Sequence, residues 1–200
     1  RTPSGERLKD LEDISHPLDF KEFAFAVHRM KNGKTSGASG LVAEMLKACV
    51  PTQMQLRAMI KDHQTPQPET EMAQVVFNLA EAIFNTGTIP ENMTASEIIF
   101  LYKDGPKEEP SNYRTIALIE VLLKLITAIA WRRTQCALED ADFFCREQAG
   151  FRTSMECLEQ VIAVYELCRR RRAAKLDTYL LFHDFRKAYD RVPHVPSLQK

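Results

Sequence analysis

The spacing of apolar residues changes once along this chain, near Ile89-Pro90, and that change restricts the folds it can form. Before it, segments 19–32 and 69–85 carry apolar residues at helical intervals. After it, SEIIFLYK at 96–103 is a compact β-branched and aromatic run of strand length. A second such run, TYLLFHD at 178–184, follows further helical sequence. We therefore expect a helix-rich α+β domain, α/β-like in its alternation of helices with two or three short strands.

The first two helices carry recognisable end signals. Asp19 with Glu22 has the form of an N-terminal capping pair, and Asn32-Gly33 marks where that helix should stop. Gly87 should close the second helix, because glycine readily adopts the left-handed conformation found there. The expected buried stripe of the second helix consists of Met72, Val75, Val76, Leu79, Ile83 and Phe84.

Two later helices are expected from length and from capping residues. Segment 116–138 is long and apolar enough for a mostly buried helix, with Arg132 and Arg133 near its end, where cations complement the helix dipole. Thr153 and Glu156 form a T-x-x-E capping box that should open a further helix.

The segments between these elements are predicted to be loops and one short helix. KTSGASG at 34–40 is a small-residue loop with hinge or phosphate-approach positions, and LVAEMLKACV after it reads as a short helix ended by Pro51. Segment 61–68 has the composition of an exposed, proline-containing linker. We expect an N-terminal helical region over residues 1–68 and a second region over residues 69–200.

The charge balance argues against a generally basic nucleic-acid binder, because 27 Lys and Arg residues face 27 Asp and Glu residues. The balance is uneven along the chain. Residues 1–100 hold 10 basic and 13 acidic residues, whereas residues 101–200 hold 17 and 14. A local basic groove in the second half therefore remains compatible with zero net charge.

The composition also excludes several other classes. An apolar content of 44% is too high for a disordered chain, and the chain has neither a charge-free apolar run of membrane-spanning length nor a signal sequence. We expect no membrane partner. Five cysteines without a CxxC pair indicate neither a disulfide framework nor a zinc site, so we expect an intracellular setting, nuclear or cytoplasmic.

Asp184 is the most informative candidate for chemistry, because it ends the apolar run at 178–184. Strand ends are where α/β sheets present functional groups, and a carboxylate there must be solvated, paired or bound to a cation. Alternatively, Asp184 caps the turn that follows it. Asp190 is not in helical register with Asp184 and pairs more simply with Arg191, so the two carboxylates need not share one metal.

Four segments together resemble the reverse transcriptases of non-LTR, LINE-like retrotransposons. FHDFRKAYDRVPH at 182–194 resembles motif A of that family. GTIPENMTASEIIFLYKDGPKEEPSNYRTIAL at 87–118 is similar to its fingers segment, REQAGFRTSMECLEQV at 146–161 to its QxGFRxGxST segment, and KNGKTSGASGLVAEMLK at 31–47 to its KxxKAPGPDGIPAELLK. The four blocks follow the family's order and spacing.

The resemblance implies an RNA-directed DNA polymerase built as a right hand. Residues 69–200 would hold the fingers and the first part of the palm, truncated after motif A. The implied partners are an RNA template, a DNA primer and deoxynucleoside triphosphates. The implied cofactor is Mg²⁺, or Mn²⁺ in its place, which neutralises triphosphate charge and helps to generate the attacking primer alkoxide.

The resemblance also assigns roles to residues of motif A and of the fingers. Asp184 would be a catalytic metal ligand, and the backbone carbonyl of Phe185 would help to hold the nucleotide-bound ion. Tyr189 stands at the family's steric gate, which rejects a sugar 2′ hydroxyl by collision. Lys103 and Arg114 match cations that contact the incoming triphosphate.

The QxGFR segment would lie near the template strand. Its matching residues are Gln148, Gly150, Phe151 and Arg152. The Phe151 ring could equally be a core residue, which we favour from the sequence. The RRRR run at 169–172 with Lys175 is either a solvated helix end or a contact to phosphates that reads no sequence.

The chain departs from the family pattern at several places. Ser39 replaces the Asp of GPDG, Met93 the Trp of IPxxW and Thr115 the Pro of YRPI, and the family's leucine-rich helix after VPH is missing. The [FY]xDD carboxylates would fall beyond Lys200. We therefore expect these 200 residues alone to be inactive, and the alternative function is a non-catalytic RNA-binding or protein-interaction module. Whether an endonuclease domain precedes Arg1 is left open.

Overall fold

The computed structural model describes residues 12–152 and 155–185, with side chains described from residue 14 onward. It divides into two compact units, residues 1–145 and 146–200. The elements of the first unit are α1 (Glu12–Ser15), α2 (Phe20–Arg29), α3 (Ala43–Ala48), α4 (Gln53–Lys61), α5 (Glu71–Thr86), α6 (Glu91–Thr94), β1 (Glu97–Tyr102), β2 (Tyr113–Leu118) and α7 (Val121–Asp140). The second unit contains α8 (Cys157–Ala173).

The predicted cap of α2 is confirmed. The Asp19 carboxylate accepts a hydrogen bond of 2.6 Å from the Glu22 backbone N–H, which satisfies one of the free donors of the first turn. The helix buries Phe20, Phe23 and Val27 and ends at Arg29, before the predicted stop at 32–33.

The short helix predicted after the GASG loop is confirmed as α3, but α4 was missed. Thr52 and Gln55 form a reciprocal capping box in which each side chain accepts from the other residue's backbone N–H, at 3.3 and 2.8 Å. This T-x-x-Q pattern was the available signal. The predicted linker at 61–68 is exposed in most positions, although Pro66 is buried.

Helix α5 is confirmed, including Gly87, whose φ of 67° is left-handed at the C-cap. The predicted stripe is correct in part. Ile83 is buried, and Val76 and Phe84 pack partly buried against the core, whereas Met72 and Val75 are each 62% exposed. The buried face is made by Ala73, Phe77, Ala80 and Ile83. The two alanines let α5 approach its neighbours closely, a possibility that a search for large apolar residues overlooks.

The predicted strand at 96–103 is confirmed as β1, but its partner was missed. β1 pairs antiparallel with β2, with Glu97 opposite Leu118 and Tyr102 opposite Tyr113. Residues 116–118, which we predicted to be helical, belong to β2, and the helix begins at Val121. A strand needs a neighbour for its backbone N–H and C=O groups, so the segment across the next turn pairs with it.

The core of the first unit lies between α2, α5 and α7. Phe77 packs edge-on against Phe20 and Phe23, with ring centroids 5.3 and 5.5 Å apart, and Leu125 and Ile129 of α7 are fully buried in the same cluster. Residues on both sides of position 68 therefore share one core. The division at 68 into two functional regions stays a prediction.

Arg133 is buried in the body of α7, although we expected it near a helix end, complementing the dipole. Its Nε and Nη2 donate to the two Glu22 carboxylate oxygens at 3.0 and 2.5 Å. Its Nη atoms also donate to the backbone carbonyls of Ile14, His16 and Pro17, at 3.0, 2.5 and 3.3 Å. The helix continues to Asp140, so Arg133 does not lie at its end. Its guanidinium binds α2 and the N-terminal segment and does not complement the helix dipole.

Two predictions in the second unit are wrong. Residues 178–184 form no strand, and none of the described residues pairs with them; Phe182 is 83% exposed. An apolar and aromatic composition does not make a strand where no partner strand is provided. Helix α8 begins at Cys157, so Glu156 occupies the N-cap position and not the third position of a capping box; Thr153 lies outside the described residues.

No helix within residues 12–152 and 155–185 has the length and apolar content that a membrane span requires.

Replacing Arg133 by Met should destabilise the chain by about 3 kcal/mol or more, because the Glu22 side chain, which is only 23% exposed, would lose its charged partner and three carbonyls would lose their donor. Urea unfolding followed by circular dichroism measures this change. Arg57→Met is the matched control, since Arg57 lies on the exposed face of α4. Equal stability of the two variants would contradict the role given to Arg133.

Candidate nucleic-acid interface

The structure brings the two predicted triphosphate cations, Lys103 and Arg114, onto one face of the β1–β2 hairpin. Arg114 pairs with Leu101, and the Lys103 N–H donates to the Asn112 carbonyl at 2.9 Å, which continues the register one residue beyond β1. Since side chains alternate along a strand, Lys103, Leu101 and Arg114 share a face. Both cations are exposed, and neither forms an ion pair within the described residues.

The loop that joins the two strands is fixed by their terminal tyrosines. The Tyr102 hydroxyl donates to the Gly105 carbonyl at 2.5 Å and the Tyr113 hydroxyl to the Lys107 carbonyl at 3.0 Å, while the two rings meet edge to face at 5.6 Å. Gly105 has a φ of 89°, and a Cβ there would lie 2.5 Å from the Asn112 amide. These contacts hold the turn between β1 and β2 in place beside Lys103. Sequence reasoning missed both tyrosines, although their positions flanking a glycine-containing turn were visible.

The GASG loop is docked on the start of α7. Glu120 is buried, and its carboxylate accepts from the Ser39 N–H at 2.8 Å and from the Ser39 hydroxyl at 2.5 Å. A Cβ on Gly37 would lie 2.9 Å from the Glu120 Cα, so this position requires glycine for close approach. Ser39, which departs from the family's Asp, therefore supplies the donors that a buried carboxylate needs.

Met93, the other departure before the hairpin, lies partly buried against the core of the first unit. It fills an apolar position as the family's tryptophan would, with a smaller and more flexible side chain.

The QAGFR segment of the second unit forms a tight turn. The Gln148 side-chain amide donates to the Gly150 carbonyl at 3.0 Å, and the Arg152 N–H donates to the Ala149 carbonyl at 3.5 Å. Phe151 has a φ of 64°, which is strained for a bulky residue, and its ring is 78% exposed. Our preference for a core position of Phe151 is therefore wrong, and the turn presents the ring to solvent.

Asp184 and Phe185 are exposed and lie outside any strand, while Tyr189 falls outside the described residues. No group of three His, Cys, Asp or Glu side chains able to hold a metal ion occurs in the described part of the chain. The Asp184 carboxylate is a hard oxygen ligand that suits Mg²⁺, but one carboxylate does not make a metal site.

The arginine run at the end of α8 is not uniform. Glu166 accepts from Arg169 at 2.7 and 2.9 Å and from Arg170 at 2.8 Å, and these bonds lower the pKa of its carboxyl from 4.5 to about 2. Arg171 donates to the Thr178 hydroxyl at 3.2 Å and to the Asp177 carbonyl at 2.6 Å. Half of the run is therefore paired with one carboxylate, and another arginine holds the following turn.

Residues 105–200 match the model of the family described as reverse transcriptase (RNA-dependent DNA polymerase). This matched segment includes Arg114, the QAGFR turn and Asp184, and begins two residues after Lys103.

The similarity to known proteins extends further toward the N-terminus. A probable RNA-directed DNA polymerase from transposon X-element of Drosophila melanogaster is 28% identical over 90% of the chain. A putative 115 kDa protein in the type-1 retrotransposable element R1DM of the same organism is 26% identical over 94% of the chain. The resemblance to reverse transcriptases of LINE-like retrotransposons is confirmed. The chain spans 18% and 16% of these two relatives.

We expect the Glu166 carboxyl to titrate near pH 2 in carbon-detected NMR, because Arg169 and Arg170 stabilise its charged form. Since the pKa is depressed, the attraction is complete above the ordinary value of 4.5 and is lost as pH falls through about 2. Arg169→Gln with Arg170→Gln should return the midpoint toward 4.5, whereas Arg172→Gln should leave it unchanged. A midpoint near 4.5 in the unaltered chain would mean that these ion pairs do not form in solution.

Proposed function

We propose that the protein containing this chain is an RNA-directed DNA polymerase of a LINE-like retrotransposon, which extends a DNA primer along an RNA template. In that reaction the primer 3′ oxygen bonds to the α-phosphorus of a deoxynucleoside triphosphate, and pyrophosphate leaves. The observation that carries the proposal is the family match of residues 105–200, which contains a candidate metal carboxylate and template turn and adjoins a cationic hairpin. The comparisons do not favour the alternative of a non-catalytic binding module.

We assign the exposed face of the β1–β2 hairpin to the incoming triphosphate. Arg114 offers a planar fork for phosphate oxygens, and Lys103 a mobile point charge beside it. Their common face would let both cations contact one polyphosphate chain. The tyrosine-fixed turn supports this assignment, since it limits the freedom that the hairpin would lose on binding nucleotide.

We assign Asp184, with the backbone carbonyl of Phe185, to Mg²⁺ or Mn²⁺. When bound, such an ion neutralises phosphate charge and favours ionisation of the primer hydroxyl. The residues of this chain would supply one anionic and one neutral oxygen, so the remaining ligands would come from the nucleotide, from water and from parts of the protein outside the described residues. Tyr189 would exclude a 2′ hydroxyl at the same site.

We assign the turn at 148–152 to the template. An exposed aromatic ring can stack on a base of any sequence, and Phe151 has that exposure. Gln148 and Gly150 set the shape of the turn through their hydrogen bond, and Arg152 follows the ring as a cation for the RNA backbone. In this assignment residues 69–200 correspond to the fingers and the first part of the palm, and residues 1–68 to a preceding helical region.

Asp184→Asn should lower primer extension on an RNA template by at least about 100-fold, since metal stabilisation of the transition state is worth several kcal/mol. The assay needs purified protein that carries these residues within a complete polymerase domain. Asp177→Asn is the control, because Asp177 is an exposed carboxylate seven residues away. Extension that survives Asp184→Asn would remove this residue from the metal site. Absence of template-dependent synthesis by the unaltered protein would refute the proposed function.

Tyr189→Val should relax the exclusion of ribonucleotides in the same assay, because the smaller side chain leaves room for a 2′ hydroxyl. The measured quantity is the ratio of kcat/KM for a deoxynucleotide to that for the matching ribonucleotide, and we expect it to fall by about 10-fold or more. Tyr179→Val, at an exposed position of the same unit, should not change this ratio. An unchanged ratio in Tyr189→Val would show that the gate lies elsewhere.

A further inference from the structure

A groove of about 360 Å³ lies between α2 and α7 of the first unit, and none of its lining residues belongs to the assignments made above. Its walls combine apolar and cationic side chains. The lining residues are Glu22, Phe25, Ala26, Arg29, Ala128, Ile129, Arg132 and Gln135.

The two arginines of the groove have no anionic partner among the described residues. Neither Arg29 nor Arg132 forms an ion pair or hydrogen bond within residues 12–152 and 155–185. Their helical neighbours three and four positions away carry no acidic residue. Glu22 is the acidic side chain in the wall, and both of its oxygens are bound to Arg133. The groove therefore carries two positive charges that its own wall does not compensate.

These charges are close enough to affect each other. Partial burial lowers the pKa of Arg29, and the like charge of Arg132 lowers it further. Two cations placed on facing helices repel, and an anion bound between them would remove that repulsion. The apolar groove wall strengthens any such attraction, because it reduces the screening by water.

We propose that the groove between α2 and α7 binds a phosphate group, held between the guanidinium groups of Arg29 and Arg132. Each guanidinium presents paired N–H donors that match two oxygens of a tetrahedral anion. The phosphate comes either from the backbone of a bound RNA or from a free polyphosphate. A contact of this kind reads no base sequence and adds affinity that depends on salt. The inference does not depend on the roles given to the hairpin or to Asp184.

The test measures the binding of a fluorescein-labelled single-stranded RNA oligonucleotide to the 200-residue chain by anisotropy, over a range of KCl concentrations. For the Arg29→Gln, Arg132→Gln double variant we expect the slope of log K against log salt to shrink by roughly 0.7, the contribution of the one phosphate that is no longer neutralised. The matched control is Arg57→Gln with Lys61→Gln, which removes two exposed charges from α4 and should leave the slope unchanged.

A second measurement separates the two phosphate sources and guards against misfolding. If the groove accepts free phosphate, sodium tripolyphosphate should raise the Tm of the unaltered chain and of the control by more than that of the double variant, which keeps the hairpin cations Lys103 and Arg114. A reduced RNA slope without this larger Tm rise would restrict the groove to phosphates of an RNA chain, and either result supports the proposal. The double variant without ligand should be at least as stable as the unaltered chain, since a repulsion is removed. The inference would be overturned by an unchanged RNA slope together with equal Tm rises in the double variant and the unaltered chain, by an equal decrease of the slope in the control, or by a destabilised double variant.

Discussion

The guanidinium of Arg133 connects parts of the chain that lie 111 and 119 positions away in sequence, and the arrangement of the first unit depends on it. A buried cation is costly unless every donor is used, which limits the positions its partners can take. Here one carboxylate of α2 and three carbonyls of segment 14–17 surround it, and the Phe84 ring of α5 lies 4.6 Å from its central carbon. Three helices and the N-terminal segment are thereby held in one arrangement around the aromatic core.

The same interaction determines the charge of the neighbouring groove. Glu22 gives both oxygens to Arg133 and forms no ion pair with Arg29 or Arg132, which line the groove beside it. A structural ion pair thus leaves two arginines available for an external anion. The hairpin shows a similar division of roles. The Tyr102 and Tyr113 hydroxyls donate to carbonyls of the turn between the strands, and the cations Lys103 and Arg114 remain exposed on one face.

Local signals in the sequence predicted the elements that depend on local contacts. The Asp19 cap, the left-handed Gly87 and the composition of β1 each act within a few residues, so these elements could be recognised without the fold. Three features depend on residues outside the local segment, so a local pattern does not predict them. They are the pairing of β2, the lack of a strand at 178–184 and the burial of Arg133. For the candidate site, family resemblance supplied the identities of Lys103 and Arg114. Their common face follows from the strand register. The exposure of Phe151 follows from its left-handed backbone conformation, which a bulky residue disfavours.

The central claim is that this segment carries the nucleotide-contacting face of a reverse transcriptase, and photo-crosslinking tests it most directly. A deoxynucleoside triphosphate with a photoreactive group on its γ-phosphate would be bound to the polymerase with primer and RNA template, irradiated, and the labelled peptides identified by mass spectrometry. We predict labelling within residues 97–118 that unmodified triphosphate competes away and that Lys103→Gln with Arg114→Gln abolishes. Labelling that leaves residues 97–118 unmodified while marking other segments of the protein would contradict the account.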